Sequence, residues 1–248
     1  MDSFIKIKVD KPFAVIGDIH GCFIEFKSLV EKVRKEYGKD TLIISVGDTV
    51  DRGDYNIKTV EYCFSLKEEG NFIEVQSNHN RKFYRWLKGK NVNVSYGMQK
   101  TVDEFLSLPE EKQQQLKEKY IKYYEECPLY LIIETEREKV VVAHAGIKDE
   151  MIGKVNKKIK DFVLYGETTG KFTEKGFPER IDWTKSRNVK KDSPIIVYGH
   201  VVHDEPYINN KCYGIDTGCV LGNKLTAFIP VENRFIFEKA RKQYFSFD

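Results

Sequence analysis

The chain has 248 residues, enough for one large domain with its own core or for two small ones. Hydrophobic residues make up 41% and charged residues 32%, the balance of an ordinary soluble globular protein, and no stretch approaches the roughly 20 apolar residues that a membrane span requires. A formal charge of +3 is too small to single out a polyanionic partner.

The N-terminal stretch "MDSFIKIKVDKPFAVIG" alternates apolar and charged residues and reads as strand, not as a secretory signal. Further β-rich runs follow in "PFAVIG", "TLIISVG", "NFIEVQ", "LYLIIE", "KVVVAHAG" and "SPIIVYGH". Between the first two of these, Phe23, Phe26, Leu29, Val30, Val33 and Tyr37 recur at helical spacing, and Gly38 ends the helix. A shorter helix is predicted from Thr59 to Leu66. The first three strands therefore form successive β-α units of a layered α/β domain.

From about Gln99 to Glu126 the pattern is helical and polar, with Ser107 and Glu110 at capping-box spacing and Pro109 in the first turn. Its place between two chemically loaded segments makes it a candidate cap over the site. After Val140 the pattern turns strand-rich, with turns at "GETTG", "EKGFP" and "INNKC", and suggests a second sheet with its own connections. No repeat, low-complexity tract or linker divides the chain, so residues 1–248 form one domain with a helical insertion at about 99–126. The five cysteines (Cys22, Cys63, Cys127, Cys212 and Cys219) are scattered and form no C-x-x-C pair. Buried, reduced thiols in a cytoplasmic protein are expected.

The chemistry sits at strand ends. His20, His79, His144 and His200 come at or just past an apolar run, in company with Asp18, Asp48 and Asn78. Ligands gather where the strands of layered α/β folds finish. Imidazole, carboxylate and amide oxygen together suit a binuclear site for manganese, iron or zinc, whereas the lack of thiolate argues against structural zinc.

Five motifs, "GDIHG" (17–21), "GDTVDRG" (47–53), "NH" (78–79), "HAG" (144–146) and "GH" (199–200), stand in the order found in phosphoprotein-phosphatase-type metallophosphoesterases. "FVLYGETTG", "IDWTKSR" and "IDTGCVLGNKLTAF" resemble the bacterial asymmetrical bis(5′-nucleosyl)-tetraphosphatase group and the phosphatase domain of bacterial polynucleotide kinase-phosphatase. The resemblance runs from about Ala14 to Phe228. It implies a calcineurin-like sandwich of two mixed β-sheets flanked by helices and a hydrolase using two divalent ions, manganese first, with iron, zinc, nickel or cobalt as alternatives. Asp18 and His20 would bind the first ion, Asp48 would bridge, and Asn78, His144 and His200 would complete the second. Arg52 would grip phosphoryl oxygens, His79 would protonate the leaving group with Asp51 orienting it, and Asp216 would be a further active-site aspartate.

The same set makes chemical sense on its own. A bridging ligand needs two oxygens and a negative charge, which Asp48 has, and Arg52 offers a planar fork for phosphate. His79 held beside Asp51 can deliver a proton. Arg187, in "DWTKSR", is a candidate second phosphate-binding arginine. In "RKFYRWLKGK" (81–90), Phe83, Trp86 and Leu87 share one helical face, leaving Arg81, Lys82, Arg85 and Lys88 as a solvated basic side. The substrate would be a nucleotide or nucleic-acid end, with no membrane and no obligate protein partner. Two other readings are a protein serine/threonine phosphatase and a non-catalytic metal or nucleotide binder. Ser77, Asn80, Val201 and Val202 depart from the family pattern and motivate the last. Ser77 adds a side chain that could shift its loop, and Asn80 removes a negative charge next to the proposed acid.

Overall fold

The computed structural model describes residues 3–174, 176 and 178–247. Two mixed sheets lie face to face. The first has β2 (Phe13–Ile16), β3 (Leu42–Ser45) and β4 (Phe72–Glu74) in parallel, joined through β2 to the antiparallel pair β12 (Lys224–Ile229) and β13 (Arg234–Lys239), in the order β13-β12-β2-β3-β4. The second runs β1-β5-β6-β9-β11-β10, where β1 is Phe4–Lys8, β5 Tyr130–Glu134, β6 Lys139–Ala143, β9 Ile195–Tyr198, β10 Tyr207–Asn209 and β11 Cys212–Gly214.

The central strands are covered on both faces and therefore read as unbroken apolar runs. Phe13 and Val15 face the second sheet and meet Leu131, Ile133, Val140 and Val142, while Ala14 and Ile16 face the helices on the outer side. On that outer side lie α1 (Phe23–Tyr37), α2 (Asn56–Glu68), α3 (Asn78–Leu87), α4 (Met98–Leu106) and α5 (Glu110–Glu126). The outer face of the second sheet is covered by α6 (Lys157–Tyr165), whose Ile159, Phe162 and Val163 are buried although its flanking lysines are exposed. A small hairpin, β7 (Thr168–Phe172) and β8 (Pro178–Arg180), stands apart from both sheets.

Helix α1 follows the predicted span, with Phe26, Leu29, Val30 and Val33 buried and Gly38 at φ 101° as its stop. Elsewhere long-range pairing overrides local expectation. The second sheet does not start after Val140, since β1 pairs in parallel with β5, and the last strands return to the first sheet. "GETTG" runs into β7 instead of forming a turn, whereas "INNKC" is a tight hairpin with Asn210 and Lys211 at positive φ. "EKGFP" lies partly outside the described residues. Ser107 does not cap α5, because its hydroxyl donates back to the Glu104 carbonyl at 2.7 Å and closes α4.

The 98–126 helices do not cap the site. Tyr120 and Tyr124 of α5 are buried against Phe83 and Tyr84 of α3, and Tyr123 against Phe64 of α2, so this helix packs on its neighbouring helices. Helix α4 instead buttresses the loop after β3. Glu104 accepts from the backbone N–H groups of Asn56 and Ile57 and so caps α2, and Thr101 holds Asp51.

Candidate metal centre

Each candidate ligand sits just past a strand, where the chain turns sharply. His20 and Asp48 (both φ 47°), Asp51 (77°), Arg52 (73°) and His200 (68°) all occupy the left-handed region, which side-chain-bearing residues avoid unless the surroundings impose it. The turns interlock: the N–H groups of Ile19 and His20 donate to the Asp48 carbonyl, and that of Gly199 donates to the His144 carbonyl. Gly17 lies so close to the Ile215–Asp216 backbone that a Cβ would collide with it.

These turns bring Asp18, His20, Asp48, Asn78, His144 and His200 together at the edge where the two sheets meet. His20 Nδ1 donates to the Val50 carbonyl at 2.9 Å, and His144 Nδ1 donates to the Val46 carbonyl at 2.9 Å. In the neutral rings Nε2 then carries a lone pair directed inward. His144 Nε2 faces Asn78 Oδ1 at 2.6 Å, His200 Nδ1 at 3.0 Å and Asp48 Oδ2 at 3.4 Å, while His20 Nε2 lies 3.6 Å from the same Asp48 oxygen. His200 Nε2 is buried without a hydrogen-bond partner. Around His144 lone pairs converge with too few protons to share, which is the arrangement a cation resolves, whereas the lone pair of His20 Nε2 is met by the Arg52 guanidinium. The donor set fits divalent ions on either side of Asp48.

The electrostatics agree. Burial, joined by the Arg52 guanidinium at His20 and by neighbouring imidazoles at His200 and His144, holds these three histidines below their ordinary values and keeps them in the neutral, ligating form. Burial alone would raise Asp48, but attraction to the surrounding imidazoles of His144, His79 and His20 when these are protonated outweighs it and lowers the carboxylate. Asp18 is pushed well up by burial and by the carboxylates of Asp216 and Asp48, and burial raises Asp216 to about 6. Asp216 therefore belongs to the same carboxylate cluster. Asp18 accepts the His200 N–H at 3.1 Å, and the donors nearest His20 and Asp48 include His79 as well.

At the first turn of α3, His79 Nδ1 donates to Asp51 Oδ2 at 2.6 Å, and the Thr101 hydroxyl donates to the other Asp51 oxygen at 2.6 Å. Arg52 donates to His20 Nε2 at 2.8 Å and to His79 Nε2 at 3.2 Å. The Ser77 hydroxyl accepts the Asp48 N–H at 2.7 Å. Asn80 likewise accepts the Thr49 N–H at 2.9 Å. Both departures from the family pattern thus fasten the turn that carries Asp48.

Below that turn the Glu74 carboxylate, 3% exposed, accepts from the Thr49 and Tyr123 hydroxyls, and burial raises it to about 7. A carboxyl raised in the fold stabilises it most when protonated. That stability is complete below the unfolded value of about 4.5 and is lost as pH rises through about 7. Between pH 5 and 8 the urea midpoint of the native chain is expected to fall relative to that of Glu74→Gln, and parallel midpoints across this window would refute the assignment.

The site opens into a cavity of about 780 Å³. Arg81, Lys82 and Arg85 of α3 line it, so the basic side of that helix is not merely solvated, while Phe83 and Leu87 pack inward as the periodicity predicts. Arg180 of β8, Tyr96, Tyr165 and Phe247 also line it. Arg180 was not visible in the sequence, because it sits in a hairpin with no apolar period to place it. Arg187 is not at the site. Its side chain is 4% exposed, its guanidinium held by Asp149 at 2.7 Å and by the carbonyls of Pro194 and Asn210, and it lines a different cavity.

Residues 11–227 match the profile of the calcineurin-like phosphoesterases. The chain is 40% identical to the asymmetrical bis(5′-nucleosyl)-tetraphosphatase PrpE of Geobacillus sp. over 221 residues, covering 86% of this chain and 88% of that one. It is 40% identical to the PrpE of Oceanobacillus iheyensis over 237 residues, 93% of each. A crystal structure provisionally assigned as a diadenosine tetraphosphatase superposes with a TM-score of 0.68 at 21% identity, over 97% of this chain and 99% of that one. A Saccharomyces cerevisiae protein serine/threonine phosphatase shares the fold at a TM-score of 0.54 and 16% identity, over 96% and 84%. Among the described residues no helix is long and apolar enough to cross a membrane.

Proposed function

This chain belongs to the calcineurin-like phosphoesterase family, and from that premise we propose that it cleaves dinucleoside tetraphosphates asymmetrically, into a mononucleotide and a nucleoside triphosphate. The observation that carries the proposal is Asp48 Oδ2, flanked at 3.6 and 3.4 Å by two neutral imidazole nitrogens from different sheets. Asp18, His20 and Asp48 would hold one ion, and Asp48, Asn78, His144 and His200 the other. Their nitrogen and oxygen donors suit manganese, with iron, zinc, nickel or cobalt as substitutes. Bound there, the ions supply a hydroxide-strength nucleophile at neutral pH and neutralise phosphoryl charge.

The chain's own groups do the rest. Arg52 presents its fork from the turn after Asp48 to the phosphoryl oxygens. His79, aligned by Asp51 and through it by Thr101, donates the proton that the departing oxygen needs. Asp216, which accepts the Gly218 N–H at 3.0 Å, adds a second carboxylate beside Asp18. Arg81, Lys82, Arg85 and Arg180 form a cationic wall matched to a tetraphosphate chain, and Tyr96 and Tyr165 offer faces to a base. The similarity to two enzymes named as asymmetrical tetraphosphatases across nearly their whole length supports this substrate over a phosphoprotein. The five free thiols fit a reducing, cytoplasmic setting.

The test is a side-by-side rate comparison with manganese on diadenosine tetraphosphate, a nucleoside 3′-phosphate, a 5′-end-modified RNA and a phosphopeptide. Fastest turnover on the tetraphosphate with AMP and ATP as products is expected; two ADP, or faster release from the phosphopeptide, would overturn the reading. Within the cavity, Arg180→Ala is expected to raise KM for the tetraphosphate roughly tenfold, the worth of one charged hydrogen bond. Turnover of a small aryl phosphate should hardly move, and an equal loss on both substrates would place Arg180 outside the polyphosphate path.

A further inference from the structure

We propose a second kind of metal site in this chain: Cys22, Glu25 and Cys219 form a buried three-donor site for a thiophilic divalent cation such as zinc, separate from the catalytic cluster. The two thiols and a Glu25 carboxylate oxygen lie within 4.8 Å of one another, and the residues are 0%, 2% and 0% exposed, respectively, for Cys22, Cys219 and Glu25. A tetrahedral zinc with sulfur donors at about 2.3 Å and an oxygen donor at about 2.1 Å holds its donors roughly 3.5–3.8 Å apart, so modest closure brings these three donors to ligating distance and leaves a fourth position for a water or a backbone carbonyl. The spacing hides the site from sequence inspection, because 196 positions separate the two cysteines and no local motif joins them.

Glu25 gives the independent sign that something binds there. Its Oε1 accepts from the Tyr244 hydroxyl at 2.7 Å and from the Arg241 N–H at 2.8 Å, whereas Oε2 is buried with no partner. A fully buried carboxylate oxygen left unpaired is costly, and a coordinating cation satisfies it directly. The hydrogen bond from Tyr244 is the kind of outer contact that fixes a ligating carboxylate. Cys22 precedes α1 and Glu25 lies in its first turn, so the positive end of a 15-residue helix favours both anionic donors. On binding, the two thiols release their protons to solvent and ligate as thiolates, with no change of oxidation state. Soft sulfur donors separate this site from the nitrogen and oxygen donors around Asp48.

Position gives the site its consequence. Cys22 lies two residues past His20, Cys219 three past Asp216, and Tyr244 precedes Phe245, whose ring lies 5.7 Å from the Arg52 guanidinium. One buried ion would tie together three segments that each carry part of the catalytic face.

The probe is cobalt(II) added to the metal-free full chain. Thiolate ligation gives a near-ultraviolet sulfur-to-cobalt charge-transfer band that histidine and carboxylate ligands do not. Three equivalents of cobalt and that band are expected, with Cys219→Ser losing one equivalent together with the band. His144→Ala should lose catalytic-site cobalt and keep the band. Absence of the band in the unmutated chain, its survival in Cys219→Ser, or a Cys22–Cys219 disulfide in non-reducing peptide mapping would each overturn the proposal. Glu25→Gln leaves both thiols in place and should release this cobalt to a chelator at least about tenfold more readily; unchanged retention would also overturn it.

Discussion

Asp48→Asn is expected to lower kcat/KM by at least about 10³-fold, because it removes the carboxylate proposed to serve both ions. Loss of a single polar group that orients a metal ligand typically costs about 10–100-fold, and loss of one transition-state donor about 10²–10³-fold. Asp48 is nearer the chemistry than either. The substitution keeps the shape of the side chain, and asparagine can still accept the His79 N–H that Asp48 Oδ1 accepts at 3.1 Å, so the turn should persist. What disappears is the negative charge that His144, His79 and His20 surround. Metal analysis of the folded variant should therefore find fewer ions in the catalytic cluster than in the unmutated chain. A variant that retains full catalytic metal and turns over within tenfold of the original would show that Asp48 does not bridge.

His79→Ala has the second largest expected effect, a fall of about 10²–10⁴-fold on substrates with poor leaving groups, the usual range for a general acid. The geometry allows a rival role, since His79 lies with His20 and Asp48 in a group able to hold an ion. Two measurements separate the roles. A proton donor can be lost without loss of metal, and its loss matters little when the leaving group is a stable anion. The variant should thus keep its metal content and recover most of its activity on an aryl phosphate bearing electron-withdrawing groups. Loss of metal with equal damage to both substrates would make His79 a ligand instead. Its bond to Asp51 at 2.6 Å favours the donor, because that carboxylate fixes the ring and leaves Nε2 on the cavity side, where Arg52 now meets it at 3.2 Å.

The parts of this molecule that were legible in its sequence are those with local signals. Helix α1 was readable from its apolar period and Gly38, and the strand-end histidines and aspartates from their place after apolar runs. Sheet order was not, because β1 and β12 find their partners across more than a hundred residues and periodicity carries no information about partner choice. The same limit explains Arg187 and Arg180. The first stood in a motif-like stretch yet is fully engaged by Asp149 and backbone carbonyls, and the second reaches the cavity only because a hairpin carries it there. Ser77 and Asn80 looked like perturbations in one dimension. In three they are hydrogen-bond acceptors for the backbone N–H groups of Asp48 and Thr49.

The left-handed turns at His20, Asp48, Asp51, Arg52 and His200 set a direction for any laboratory evolution of this chain. Each holds a side-chain-bearing residue where glycine would rest more easily, at a cost of about 1–2 kcal/mol. A selection for heat resistance alone would accumulate glycine or asparagine at these positions and return robust, inert proteins. Screens for hardier variants therefore have to score turnover in every round.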